Sequence, residues 1–296
     1  MIKKVLNAWA EFLASPSSAY VLSDDNIGWL SGHGTHDLAL TANAGQTSYA
    51  FEEFFHCDPS EKHHGYNSWD DFFTRHFHED KRPVASPDDD NVIANACEPK
   101  PYKVGRNSFK RDRFWMKGQP YSLMDMLAMG PLHEQFTGGT IYQAFLSARS
   151  YHRWHAPVSG KVVKSYLVEG TCSSEPLFEG LGDPSAGGDI DEGGEKTGQG
   201  YLTATATRAI IFFEADNKDL GLVCSMGIGM TEVSTCETTV KEGQHVRKGD
   251  EIGMFHYDGS TYCVIFRKGV ELEWFPDTQN ADVPVRSRLA TAKKTT

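Results

Sequence analysis

Three groups of residues have side chains that could do chemistry. Near the C-terminal end, Phe255-His256-Tyr257-Asp258-Gly259-Ser260-Thr261-Tyr262 puts a serine hydroxyl in a Gly-Ser-Thr segment between two strand-like stretches. Taken alone, this is an ordinary hairpin turn. Upstream, Ser150-Tyr151-His152-Arg153-Trp154-His155-Ala156-Pro157 carries two histidines three positions apart. Taken alone, such a pair is more often packing than chemistry. The third group is a crowd of His33, His36, His56, Cys57, His63 and His64. Metal ligands come in such company, but no H-E-x-x-H or C-x-x-C spacing fixes a geometry, and no metal site is assigned. Asp183, Asp189, Asp191, Glu192 and Glu195 lack the spacing of a calcium loop, which leaves a solvated acidic stretch. Gly180-x-Gly182 and Gly227-x-Gly229 lack the third glycine of a dinucleotide fingerprint.

The elements that must position these residues change character along the chain. Residues 1–85 read as a helical N-terminal segment. Ile2, Val5, Leu6, Trp9, Phe12 and Leu13 recur at helical spacing. Ser48–Phe55 suggests a second helix. Ser68–Phe73 suggests a third, with Ser68 as N-cap and Asp70 and Asp71 in the first turn. Residues 86–296 read as a β-rich body. Strand-like runs occur at 92–97, 139–146, 160–166, 209–213, 222–226 and 263–266, with a helix expected at 121–127. The predicted class is therefore α+β, a helical segment on a mostly antiparallel β body. Ala156–Val162 and Val240–Phe255, with two glycine turns, have the turn chemistry of a lipoyl-like sandwich, but no carrier-lysine hairpin accompanies them. Residues 179–200 hold eight glycines and no aromatic residue, and are expected to form a long loop. The polar tail beyond Asp277 is expected to fray.

With 296 residues, 39% of them hydrophobic, the chain is long enough to bury a full core. Its 40 acidic and 29 basic side chains give a net charge of −11, which argues against a nucleic-acid partner and against charge-driven docking on an anionic bilayer. No apolar run is long enough for a transmembrane helix. Six cysteines without a C-x-x-C pair suggest free thiols and a cytoplasmic location.

Four blocks in fixed order resemble the phosphatidylserine decarboxylases and their soluble relatives, the pyruvoyl-dependent amino-acid decarboxylases. They are Trp69-Asp70-Asp71-Phe72-Phe73-Thr74-Arg75 with Arg82-Pro83-Val84, then Tyr151–Gly160, Val246–Phe255, and Gly259-Ser260-Thr261. The resemblance spans about residues 65–275. It implies that the chain is a proenzyme that cuts itself between Gly259 and Ser260, giving chains 1–259 and 260–296. Ser260 would attack the preceding carbonyl and end as a pyruvoyl group, the self-derived cofactor. That ketone would form a Schiff base with a substrate amine and act as the electron sink for loss of CO2. By family position His155 is the base for maturation and His152 the proton donor in turnover. Imidazole suits both roles because its ordinary pKa lies near neutrality.

One departure stands out. The family orients its base with an aspartate after the first strand of the body. Here the stretch is Ala94-Asn95-Ala96-Cys97-Glu98-Pro99, and the aspartate is missing. Glu98 is the expected substitute, set against a surface glutamate ending a strand. The acidic balance and the segments 202–208 and 226–236 point to the soluble branch, which includes fungal L-tryptophan decarboxylases. The expected substrate is a free, aromatic L-amino acid, with phosphatidylserine as the alternative. A non-catalytic β-sandwich relative is the cross-class rival. The resemblance also implies a possible homodimer, while the acidic charge and the lack of a long apolar run imply no stable membrane insertion. The 179–200 loop would be a lid that excludes water, or a surface loop without a role.

Overall fold

The structure is a computed structural model that describes residues 2–110, 122–130, 132–171, 199–230, 235–257, 259–273 and 283–293. The glycine-rich loop falls outside these residues except for its last two, so a lid function is not addressed.

The N-terminal segment contains helices α1 (Ile2–Ala14), α2 (Gly32–Asn43), α3 (Phe51–Phe54) and α4 (Trp69–Phe73). Helix α4 starts where the sequence requires it. Ser68 Oγ accepts the Asp71 amide at 3.1 Å, and Asp70 and Asp71 sit on the positive end of the helix. The apolar stripe of α1 is wider than its partner surface. Leu6, Ala10 and Leu13 are half-buried, while Val5, Trp9 and Phe12 remain exposed.

The body runs β1 (Val92–Ala94), β2 (Lys100–Arg106), α5 (Leu123–Met126), β3 (Thr140–Leu146), β4 (Arg153–His155), β5 (Gly160–Val168) and α6 (Gln199–Thr205). It continues with β6 (Arg208–Ala215), β7 (Leu222–Gly229), β8 (Thr235–Thr238), β9 (His245–Val246), β10 (Glu251–His256), β11 (Ser260–Phe266) and β12 (Arg288–Thr291). The described strands form a seven-stranded sheet, β2-β3-β11-β7-β6-β5-β9, a three-stranded sheet, β4-β10-β8, and the pair β1-β12. Every pairing between these named strands is antiparallel, and the fold class is α+β as expected. Gly243 and Gly249 turn the chain at φ 89° and 88°, a conformation that costs a side-chain-bearing residue, so the glycines mark the turns around β9.

Alternation along β11 gives the large sheet two unlike faces. Cys263 and Ile265 join Ile141, Ile210, Phe212 and Met226 under α5 and α6. Tyr262 and Val264 face the small sheet and the helical segment in one core with Trp154, Phe51, Phe72 and Phe73. The expected fraying of the tail is corrected for residues 283–293. Val285, Leu289 and Ala290 are buried, and β12 pairs with β1. Polar composition hid a strand only four residues long.

Candidate active site

Ser260 opens β11, paired with Gly229 of β7 and Leu146 of β3. Residues two apart on a strand share a face, so Ser260 and Tyr262 look the same way, toward the small sheet. Trp154 of β4 fills the space between the sheets. Its ring lies 6.0 Å from the Tyr262 ring and 4.7 Å from that of Phe255. A Cβ on Gly227 would come within 2.4 Å of the Trp154 ring, and one on Gly253 within 2.6 Å. Glycine at both positions is what admits the indole.

His152 immediately precedes β4. Its carbonyl accepts the Phe255 amide at 2.9 Å, which aligns it with the end of β10 that leads to Ser260. Its ring stacks on Phe73 of α4 at 3.8 Å. Ser260 and His152 are both fully buried. Among the described residues Ser260 Oγ and Trp154 Nε1 have no hydrogen-bond partner. Leaving such groups unpaired costs about 1–3 kcal/mol each, which makes the surroundings of Ser260 the candidate site. Burial, then the Arg75 guanidinium, pushes the His152 pKa well below the usual imidazole range. The ring is a neutral base.

The carbonyl of Gly259 accepts the Met230 amide at 3.3 Å. An attack on that carbonyl would build negative charge on an oxygen that already faces a donor.

His155 lies at the other end of β4, opposite Glu251, and the three-residue offset turns its ring away from the His152 side. Its Nδ1 lies 2.9 Å from the Gly249 carbonyl, and Arg286 Nε stands 3.3 Å from the same nitrogen. Its Nε2 is 3.2 Å from Tyr151 Oη. Burial, then Arg286, lowers its pKa to about 3. Neither histidine is hydrogen-bonded to Ser260 Oγ.

Glu98 is buried, which rules out the surface-glutamate alternative, and its carboxylate binds Arg82, at 2.8 Å from Nε with a second contact from Nη2. A desolvated carboxylate needs a cation, and Arg82, itself stacked over Phe54, supplies it. The Gly249 carbonyl, Tyr151 and Arg286 surround the His155 ring. Arg286 is anchored in turn by Glu79 and the Phe77 ring. Sequence reading missed Arg286 because it lies in the polar tail. Tyr151, Trp69, Asp70, Phe73 and Arg75 lie inside the recognised blocks, without a role that spacing could give them.

Among the described residues no group of three or more His, Cys, Asp or Glu side chains could hold a metal. The five described cysteines are free, and four of them are buried.

Residues 69–288 match a family model described as phosphatidylserine decarboxylase, and residues 1–38 match a second model of that description. The chain is 43% identical to decarboxylase iboD of Amanita muscaria over 270 residues, 90% of this chain and 75% of that one. It is 40% identical to the L-tryptophan decarboxylase of Psilocybe cubensis, over 92% of this chain but 62% of the relative. A phosphatidylserine decarboxylase proenzyme of Chlamydia trachomatis is 27% identical over 69% of this chain.

Proposed function

The chain belongs to the phosphatidylserine decarboxylase family of carboxy-lyases, and from that membership we propose that it is a self-cleaving decarboxylase of a free L-amino acid, aromatic and tryptophan-like. The observation that carries the reading is the fully buried Ser260 hydroxyl, without a partner among the described residues, next to the Gly259 carbonyl, which already accepts the Met230 amide.

In maturation, Ser260 Oγ bonds to the Gly259 carbonyl carbon and the Gly259–Ser260 C–N bond breaks. The hydroxyl proton passes to the freed nitrogen. Loss of the Ser260 Cα proton expels the Gly259 carboxylate, and water then displaces the nitrogen as ammonia. The Met230 amide stabilises the oxyanion of the first step. His155 is the base proposed for this stage. With a pKa near 3 its lone pair is free at neutral pH, and the Gly249 carbonyl and Tyr151 fix the ring. A pyruvoyl group formed from Ser260 would supply a ketone able to hold the substrate amine and draw electrons from the bond to the departing carboxylate. The buried, unpaired Ser260 hydroxyl fits the precursor of such a group. His152 is the proposed proton carrier in turnover, because its buried ring, stacked on Phe73, is a neutral base.

The Psilocybe relative, an L-tryptophan decarboxylase, supports an amino acid over a phospholipid. Among the described residues no helix is long and apolar enough to cross a membrane. A cytoplasmic location and a homodimer belong to the same reading. The free thiols support the first, and light scattering tests the second.

The test is intact-mass measurement with a decarboxylation assay against tryptophan, tyrosine, phenylalanine and phosphatidylserine. Two chains, 1–259 and 260–296, with release of an aromatic amine, are expected. Ser260→Ala should leave one chain and no activity, and an active single chain would end the proposal. His152→Ala should mature yet turn over at least ten-fold more slowly, and His155→Ala should stall before the cut. If the two phenotypes are exchanged, so are the two roles.

A further inference from the structure

Helix α4 and the two residues that follow it touch both segments that the chemistry requires. Trp69 Nε1 donates to the Tyr257 carbonyl at 3.0 Å. The Asp70 carboxylate lies 2.9 and 3.0 Å from His256 Nδ1. Phe73 stacks on His152. Arg75 donates to the carbonyls of Arg149 at 2.9 Å and Ser150 at 3.3 Å, just before His152. Thr74 O accepts Arg153 Nε at 2.6 Å.

The contacts with residues 256 and 257 fall immediately before the scissile bond. Tyr257 sits at φ 77°, a left-handed conformation that a tyrosine adopts only where its surroundings enforce it. Two groups on α4 do the enforcing, one on the carbonyl of residue 257 and one on the side chain of residue 256. His256 is held from both ends, since its Nε2 lies 3.2 Å from Glu237 Oε2 of β8. An imidazole with a carboxylate on each nitrogen donates from both, so the geometry selects the imidazolium. Asp70 and Glu237 outweigh the opposing effect of burial and raise its pKa. Among the described residues, Tyr257 is the other titratable neighbour in ring contact, at 5.5 Å.

We propose that Asp70, Trp69 and His256 are positioning residues for self-cleavage, holding the backbone of residues 256–257 so that the Gly259 carbonyl is presented to Ser260 Oγ. This rests on the reading that the chain cuts itself at Gly259–Ser260. Intramolecular attack is fast only when the reacting atoms are held in line, and a turn fixed on both sides of a strained residue meets that need.

The test follows conversion of freshly translated full-length chain into two chains by intact mass, at fixed pH. Asp70→Asn and His256→Gln should mature at least ten-fold more slowly than wild type. His256→Lys, which keeps a cation between Asp70 and Glu237, should recover most of the rate. Asp71→Asn is the control. It lies on the same helix, but its carboxylate binds Asn67, and it should mature at the wild-type rate. Asp70→Asn maturing as fast as wild type would overturn the proposal. So would His256→Lys as slow as His256→Gln, or Asp71→Asn as slow as Asp70→Asn, which would mean general weakening of the helix. A wild-type chain that never becomes two chains would overturn the self-cleavage reading, and this proposal with it.

Discussion

Two buried residues show how a charge is handled inside this protein. Glu98 has Arg82 as its cation, and breaking such a pair leaves one charge uncompensated, at about 3–5 kcal/mol. Glu98→Gln should therefore lower stability by roughly that amount in a denaturant titration, with self-cleavage per folded molecule unchanged. A loss of cleavage without loss of stability would place Glu98 in the mechanism. His155 is kept neutral instead. Its folded pKa of about 3 lies below the unfolded value of about 6.5, so the unfolded chain binds the extra proton between them. Stability should fall as pH drops through that window, with this one group contributing up to about 1.4 kcal/mol per pH unit. His155→Gln should flatten the slope between pH 6 and 4. His256 has the opposite sign. Its folded pKa is raised, so its contribution is complete below the unfolded value and fades as pH rises through the folded one. His256→Gln should therefore cost more stability at pH 6 than at pH 9.

At the scale of elements, the spacing between β4 and the large sheet is set by one indole and two glycines. Gly227→Ala would drive a methyl into the Trp154 ring, and overpacking of this kind costs about 1–3 kcal/mol. Because His152 is two residues from Trp154, the same change should also displace the His152 ring, the proposed proton carrier. The expected result is a near-ultraviolet dichroism change with turnover reduced more than KM is altered. Wild-type turnover would mean that Trp154 repacks without moving β4. Much of this level was legible in the sequence. Ser68 capping a helix with two acidic residues in its first turn appears as read, as do the strands later numbered β3, β5, β6 and β7. Helix α3 is shorter than its apolar residues suggested. It closes after four residues, with Glu53 reaching back to the Ala50 amide.

Across the whole molecule, the proposed cut falls between two strands that are locked in place. β11 begins at Ser260 and is paired along its full length with β3 on one side and β7 on the other. β12 pairs with β1, and Arg286 reaches Glu79, Gly249 and His155. The 37-residue C-terminal chain should therefore stay bound after cleavage, co-eluting with the long chain in gel filtration and separating only in denaturant. The uncut site is also sealed, since Ser260 and His152 have no exposed surface. The uncut Ser260→Ala chain should then show no tryptophan binding by calorimetry, and micromolar binding to it would mean that access does not depend on the cut.

The sequence by itself determined the chemistry available and where it lies along the chain. A Gly-Ser bond before a strand, two histidines three apart, a capped helix and glycine turns are local patterns, and local geometry follows from neighbours in the chain. What surrounds each histidine was decided only when β4 was paired with β10 and packed against the helical segment, because strand alternation has no meaning until a partner defines the faces. The partner of Glu98 and the anchor of His155 were decided the same way. Arg82 lies 16 residues from Glu98, and Arg286 lies 131 from His155. Contacts at such separations arise from burial and register, and a buried charge takes whichever counter-ion the fold brings to it.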